Sequence, residues 1–139
     1  MMRKSTRGAR SWAYAATVAL VGCWGGNAMA HHSFSLFLMT TTKTITGRVV
    51  EFQWTNPHTW TWIDVKNKDG SVTRWGLEGM SPNFLERRGW TRDTLKPGDL
   101  VKVVINPLKS GKPGGEFVRA TLSDGTVKVM FPHPVDAKP

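Results

Sequence analysis

Turn signals constrain this chain more than any other feature, because between residues 44 and 131 they leave no uninterrupted segment longer than a strand or a short helix. They are Asn56-Pro57, Asn67-Lys68-Asp69-Gly70, Ser81-Pro82, Gly89, Lys96-Pro97-Gly98-Asp99, the Gly- and Pro-rich stretch 107–115, and Asp124-Gly125. Pro presets φ, Gly takes φ > 0 without strain, and Asn or Asp can bond the backbone ahead of it.

The segments between these signals are β-branched and aromatic. Ile45 to Trp54 reads as a first strand, with Thr46, Arg48, Val50, Phe52 and Trp54 on one parity and Ile45, Gly47, Val49, Glu51 and Gln53 on the other. Thr59 to Lys66 is a second strand, setting Trp60, Trp62 and Asp64 against Thr61, Ile63 and Val65, and parity alone does not say which face is outward. A third strand runs from about Ser71 to Leu77. Ser81-Pro82 then signals a helix of about two turns, with Ser81 as cap, Phe84 and Leu85 turned to the core, Arg87-Arg88 offsetting the dipole and Gly89 as the stop. Strands follow at Leu100 to Asn106 and Glu116 to Leu122, then a short segment at Thr126 to Phe131.

Strand, strand, strand, short helix, strand, strand is the order of the OB-fold, a partly open five-stranded Greek-key barrel. The fold class expected is therefore all-β with one short helix, an OB-fold-like five-stranded barrel closed around Val50, Phe52, Ile63, Val65, Val103 and Ile105. The alternative, a small β-sandwich, explains the strands and gives the helix no place.

The first thirty residues predict export. Arg3, Lys4, Arg7 and Arg10 precede an apolar run from Trp12 to Trp24 and the small-residue exit Ala28-Met29-Ala30, the pattern of a signal peptide. Cleavage after Ala30 gives a periplasmic or secreted chain beginning His31-His32-Ser33-Phe34. The alternative is Leu20-Val21-Gly22-Cys23, a lipoprotein-like box in which Cys23 carries a lipid anchor. Cys23 is the only cysteine, so with cleavage after Ala30 disulfides play no part. Neither processing route leaves an apolar stretch long enough for a transmembrane span in the mature chain. The domain reading is 1–30 signal peptide, 31–43 apolar N-terminal arm, 44–131 barrel and 132–139 tail. Removing the four leader cations from 19 Lys and Arg leaves 15 against 10 acidic residues, so the formal charge falls from +9 to +5. Such a charge suits a polyanion or an anionic membrane surface modestly well, but over a small domain it is more often ordinary solubility charge.

The chain also resembles a family of small exported bacterial proteins catalogued as domain of unknown function family 6152. The resemblance rests on His31-His32-Ser33-Phe34, on Gly47 followed by Glu51-Phe52-Gln53-Trp54-Thr55-Asn56-Pro57-His58, on Trp75-Gly76-Leu77-Glu78-Gly79, and on Gly89 to Asp99 with Asn106-Pro107. It implies export and favours cleavage after Ala30, and it implies no activity.

Two constellations carry chemistry. The loops and strands that form the usual OB binding face hold Trp54, Asn56, His58, Trp60, Trp62, Arg74, Trp75, Lys109 and Lys112, where indoles can stack on flat rings and cations can meet phosphate or carboxylate. The competing reading of these tryptophans is simple core packing. The second constellation is His31, His32 and His58. A terminal α-amine with imidazoles suits a transition metal, and the affinity order favours copper. No nucleophile elbow, phosphate loop or paired-carboxylate motif occurs, and Glu51, Asp64 and Glu78 read as solvated strand carboxylates, so no enzyme is expected. The function expected is a non-catalytic binding module for a small molecule, an anionic polymer or a protein, with nucleic acid disfavoured by export. The alternative is a periplasmic copper-binding protein.

Overall fold

In the computed structural model, residues 34–132 are described, and the N-terminal segment with its two histidines and processing sites lies outside them. The strands are β1 (Lys43–Gln53), β2 (Trp60–Lys66), β3 (Val72–Glu78), β4 (Leu100–Pro107), β5 (Gly114–Thr121) and β6 (Val127–Val129), with one helix, α1 (Pro82–Glu86). They form a sheet in the order β3-β2-β1-β4-β5-β6, and a parallel pairing of β3 with β5 closes the first five strands into a barrel. This is the OB-like architecture the element order implied, with β6 extending the edge of β5. Following one register row, Gln53 to Trp60 to Glu78 to Glu116 to Asn106, the path returns to β1 near Lys43, about ten residues from its start, as tilted strands in a closed barrel require.

Parity fails in β1 for a local reason. Ile45, Gly47 and Val49 face inward, but the pairing with β2 slips between Val49 and Glu51 and leaves Val50 as an extra residue. This β-bulge switches the inward positions to Phe52 and, beyond the strand, Trp54. Val49, 2% exposed, therefore takes the core place expected for Val50, while Ile63, Val103 and Ile105 are buried as expected and Phe52 and Val65 pack at the margin.

The helix is a plug. It has five residues rather than two full turns, with Pro82 in its first turn and Leu85 fully buried. Ser81 caps through its backbone: its carbonyl accepts from the N–H of Phe84 and of Leu85, and its side chain makes no capping bond. At the other end the N–H groups of Gly89 and Trp90 return to the carbonyls of Glu86 and Leu85, a Schellman closure that needs the φ of +72° Gly89 adopts. Trp90 is thereby turned into the barrel, edge-on to Phe117 at 6.0 Å, and its indole N–H donates to the Val129 carbonyl at 2.9 Å. Arg88 lies over the Phe84 ring at 3.8 Å, packing where the sequence suggested only dipole compensation.

Part of the expected arm is visible. Phe34–Leu36 form a single 3₁₀ turn and Phe37 bridges to Leu108, buried against the chain's own barrel. Leu36 and Leu38 remain exposed. Among the described residues no helix is long and apolar enough to cross a membrane.

Candidate functional site

The bulge in β1 and the pairing of β2 with β3 settle which tryptophans face out. Thr61 and Ile63 point into the barrel and are buried, so Trp60, Trp62 and Asp64 lie on the outer face. Their register partners share it: Gln53 and Glu78 beside Trp60, Glu51 and Gly76 beside Trp62, Arg48 and Arg74 beside Asp64. The rings of Trp60 and Trp62 are 6.2 Å apart and inclined by only 19°, making a continuous aromatic shelf. A side chain on β3 would block it. At Gly76 a Cβ would sit 2.6 Å from the six-membered ring of Trp62, so the missing side chain makes room for that ring.

The other two tryptophans of the expected face turn inward. Trp54 packs edge-on to Phe52 at 5.6 Å, and Trp75, opposite Ile63, packs against the core beneath the Lys43 ammonium at 4.6 Å. For these two, core packing is what the structure displays. Asn56 is exposed in the β1–β2 loop, whose Asn56–Pro57 peptide is cis, and there the Thr55 hydroxyl donates to the His58 carbonyl at 3.0 Å. Lys109 and Lys112 are exposed on the β4–β5 loop, and the Pro113 carbonyl of that loop accepts from the Gly76 N–H at 3.4 Å.

His58 stands at the end of the shelf. Its Nδ1 meets Glu78 Oε1, and its side chain remains 42% exposed while that of Glu78 is 14% exposed. Glu78 is thus no solvated strand carboxylate. Beyond it, Glu116 lies opposite Glu78 on β5 and Asn106 lies opposite Glu116 on β4. Both are buried, and Glu116 Oε2 and Asn106 Oδ1 lack a hydrogen-bond partner among the described residues. Burial first, and then repulsion from Glu78, push the Glu116 carboxyl up to about 7. The Asn106 amide donates to the carbonyl of Thr41 at 2.9 Å, joining this polar row to the segment before β1.

Sequence reasoning missed Glu116 and Asn106 and misjudged Glu78. Each sits on a strand without a flanking catalytic motif, and only the register that closes the barrel assembles them. Arg74 forms a bidentate pair with Asp64, 2.8 and 3.0 Å, which holds the Asp64 carboxyl below its usual range. Among the described residues no group of three or more His, Cys, Asp or Glu is placed to hold a metal ion, and His31 and His32 lie outside them.

Fold and site together define a small OB-like barrel with an aromatic outer shelf flanked by a histidine–carboxylate pair. The chain belongs to the family of unknown function DUF6152, whose model matches residues 18–117. No curated protein and no solved structure matches it.

Proposed function

We propose that the chain is an exported, non-catalytic binding module that holds its ligand on the outer face of β1, β2 and β3. The Trp60–Trp62 shelf carries this reading. Trp90, Phe117, Leu85 and Met130 fill the barrel without these two indoles, which leaves two large aromatic rings on the outside of a small domain. Both are half-buried, and aromatics grouped on an outer face in this way mark recognition surfaces more than stability. The direct test is urea unfolding of Trp60→Ala and Trp62→Ala beside Trp90→Ala. The two outer variants are expected to stay within ~1 kcal/mol of the parent and the inner one to lose ~3–5 kcal/mol. Collapse of both outer variants would make the shelf structural and end the reading.

A second reading, copper binding, is favoured by the geometry of His58. A carboxylate on Nδ1 fixes the ring and leaves Nε2 available as a ligand, the arrangement that commonly backs metal-bound histidine. His31 and His32 would supply the remaining nitrogens if cleavage follows Ala30. Intact mass of the exported protein establishes whether His31 is the first residue, and Cu²⁺ titration of that material should then weaken in both His31→Ala and His58→Ala. Unchanged affinity in the two variants removes the site, as does a lipidated Cys23.

A further inference from the structure

A flat indole shelf accepts several ring types, including bases, aromatic metabolites and the C–H face of a sugar, so the groups around it must decide among them. Those groups are mainly acceptors. Glu51 lies beside Trp62, and of the other two carboxylates Glu78, beside Trp60, is paired with His58 and Asp64, next along β2, with Arg74. The nearby cations are already engaged: Arg74 is held bidentate by Asp64, and Arg48 donates to the Gly98 carbonyl at 2.9 Å. Lys109 and Lys112 are exposed on the neighbouring loop, whose Pro113 carbonyl accepts from the Gly76 N–H. A phosphate- or carboxylate-bearing ring stacked on Trp62 would face Glu51, and like charges at close range are repulsive.

Beside Trp62 is a shallow depression of about 320 Å³ lined by Val50, Glu51, Gln53, Trp62 and Arg74, at the small end of ligand-site volumes. Glu51 is exposed at its rim, and Gln53 offers both a donor and an acceptor. Carboxylate and amide groups next to an aromatic platform match a pyranose, which presents C–H bonds from one face and hydroxyls around its edge. Trp60 adjoins this platform, its ring stacked with that of Trp62 at 6.2 Å.

We infer that the Trp60–Trp62 shelf and the depression beside it bind an uncharged or amino-bearing oligosaccharide, with the indoles stacking on the rings and Glu51 and Gln53 bonding the hydroxyls or amine. This rests on the outer face being the ligand face.

The test is calorimetric titration of the full mature chain with cellotetraose, the N-acetylglucosamine tetramer and the glucosamine tetramer. Tetragalacturonate and a dT8 oligonucleotide serve as acidic counterparts. At least one neutral or amino sugar should bind, about tenfold more tightly than either anion, and Trp62→Ala should weaken it about tenfold. Glu51→Gln and Gln53→Ala, both at the rim and outside the core, should weaken the same sugar and give the reading even if Trp62→Ala does not fold. Absence of binding by all three sugars overturns the proposal. So does anion binding as tight as sugar binding; if that binding still depends on Trp62, the ligand face survives and only the sugar is wrong. Sugar binding indifferent to Trp62, Glu51 and Gln53 removes both.

Discussion

Glu116 carries the sharpest residue-scale consequence. Its carboxyl is raised from the usual 4.5 to about 7, so between these values the folded chain holds a proton that the unfolded chain has released. A folded state that binds more protons loses stability as pH rises. The contribution is therefore full below about pH 4.5 and is lost as pH climbs through about 7. With allowance for solvent screening, this group should make the protein on the order of 2 kcal/mol less stable at pH 8 than at pH 5. Glu116→Gln keeps the shape, cannot ionise, and brings an amide donor to a neighbourhood where Asn106 Oδ1 lacks one. Urea unfolding at the two pH values should show the slope in the parent and a nearly flat response in the variant. An equal slope in both would assign it to other groups.

At the scale of elements, the short helix matters for where it ends rather than for its length. Five helical residues contribute little by themselves, but the closure at Gly89 aims Trp90 into the barrel. A Cβ at Gly89 meets no atom within 4 Å, so any cost of Gly89→Ala comes from the backbone alone, at φ +72°. The expected loss is ~1–2 kcal/mol, with Gly89→Asn milder because Asn tolerates this region better. Denaturant midpoints of the two variants check both the size and the order. The same element shows what a sequence can announce: Ser81, Pro82 and Gly89 bracket the helix correctly, because turn chemistry is local. Its length and the role of Arg88 depend on what the ring of Phe84 packs against, which is not local.

For the whole molecule, the barrel was legible because punctuation fixed the number and order of segments, and few architectures accept that order. The site was legible in part. Trp60 and Trp62 were placed on one strand face, and the paired strands make that face the outer one; Trp54 and Trp75, equally aromatic, turn inward. Glu78, Glu116 and Asn106 were illegible because they come from three strands and meet only when β3 pairs with β5. The bulge at Val50 was illegible too, since a strict alternation has no mark for one extra residue. That extra residue divides β1 into two stretches with opposite phase: before it the odd-numbered side chains are lipophilic ballast, and after it they are the ones that meet water. With the same residues and no bulge, strict alternation from Val49 would bring Glu51 and Gln53 into the interior and set Phe52 and Trp54 outside. A family member lacking Val50 would instead pair regularly and keep Glu51 and Gln53 outside. Val49 and Phe52, three positions apart, share the interior only because of this bulge, and every residue that follows in the strand inherits its phase.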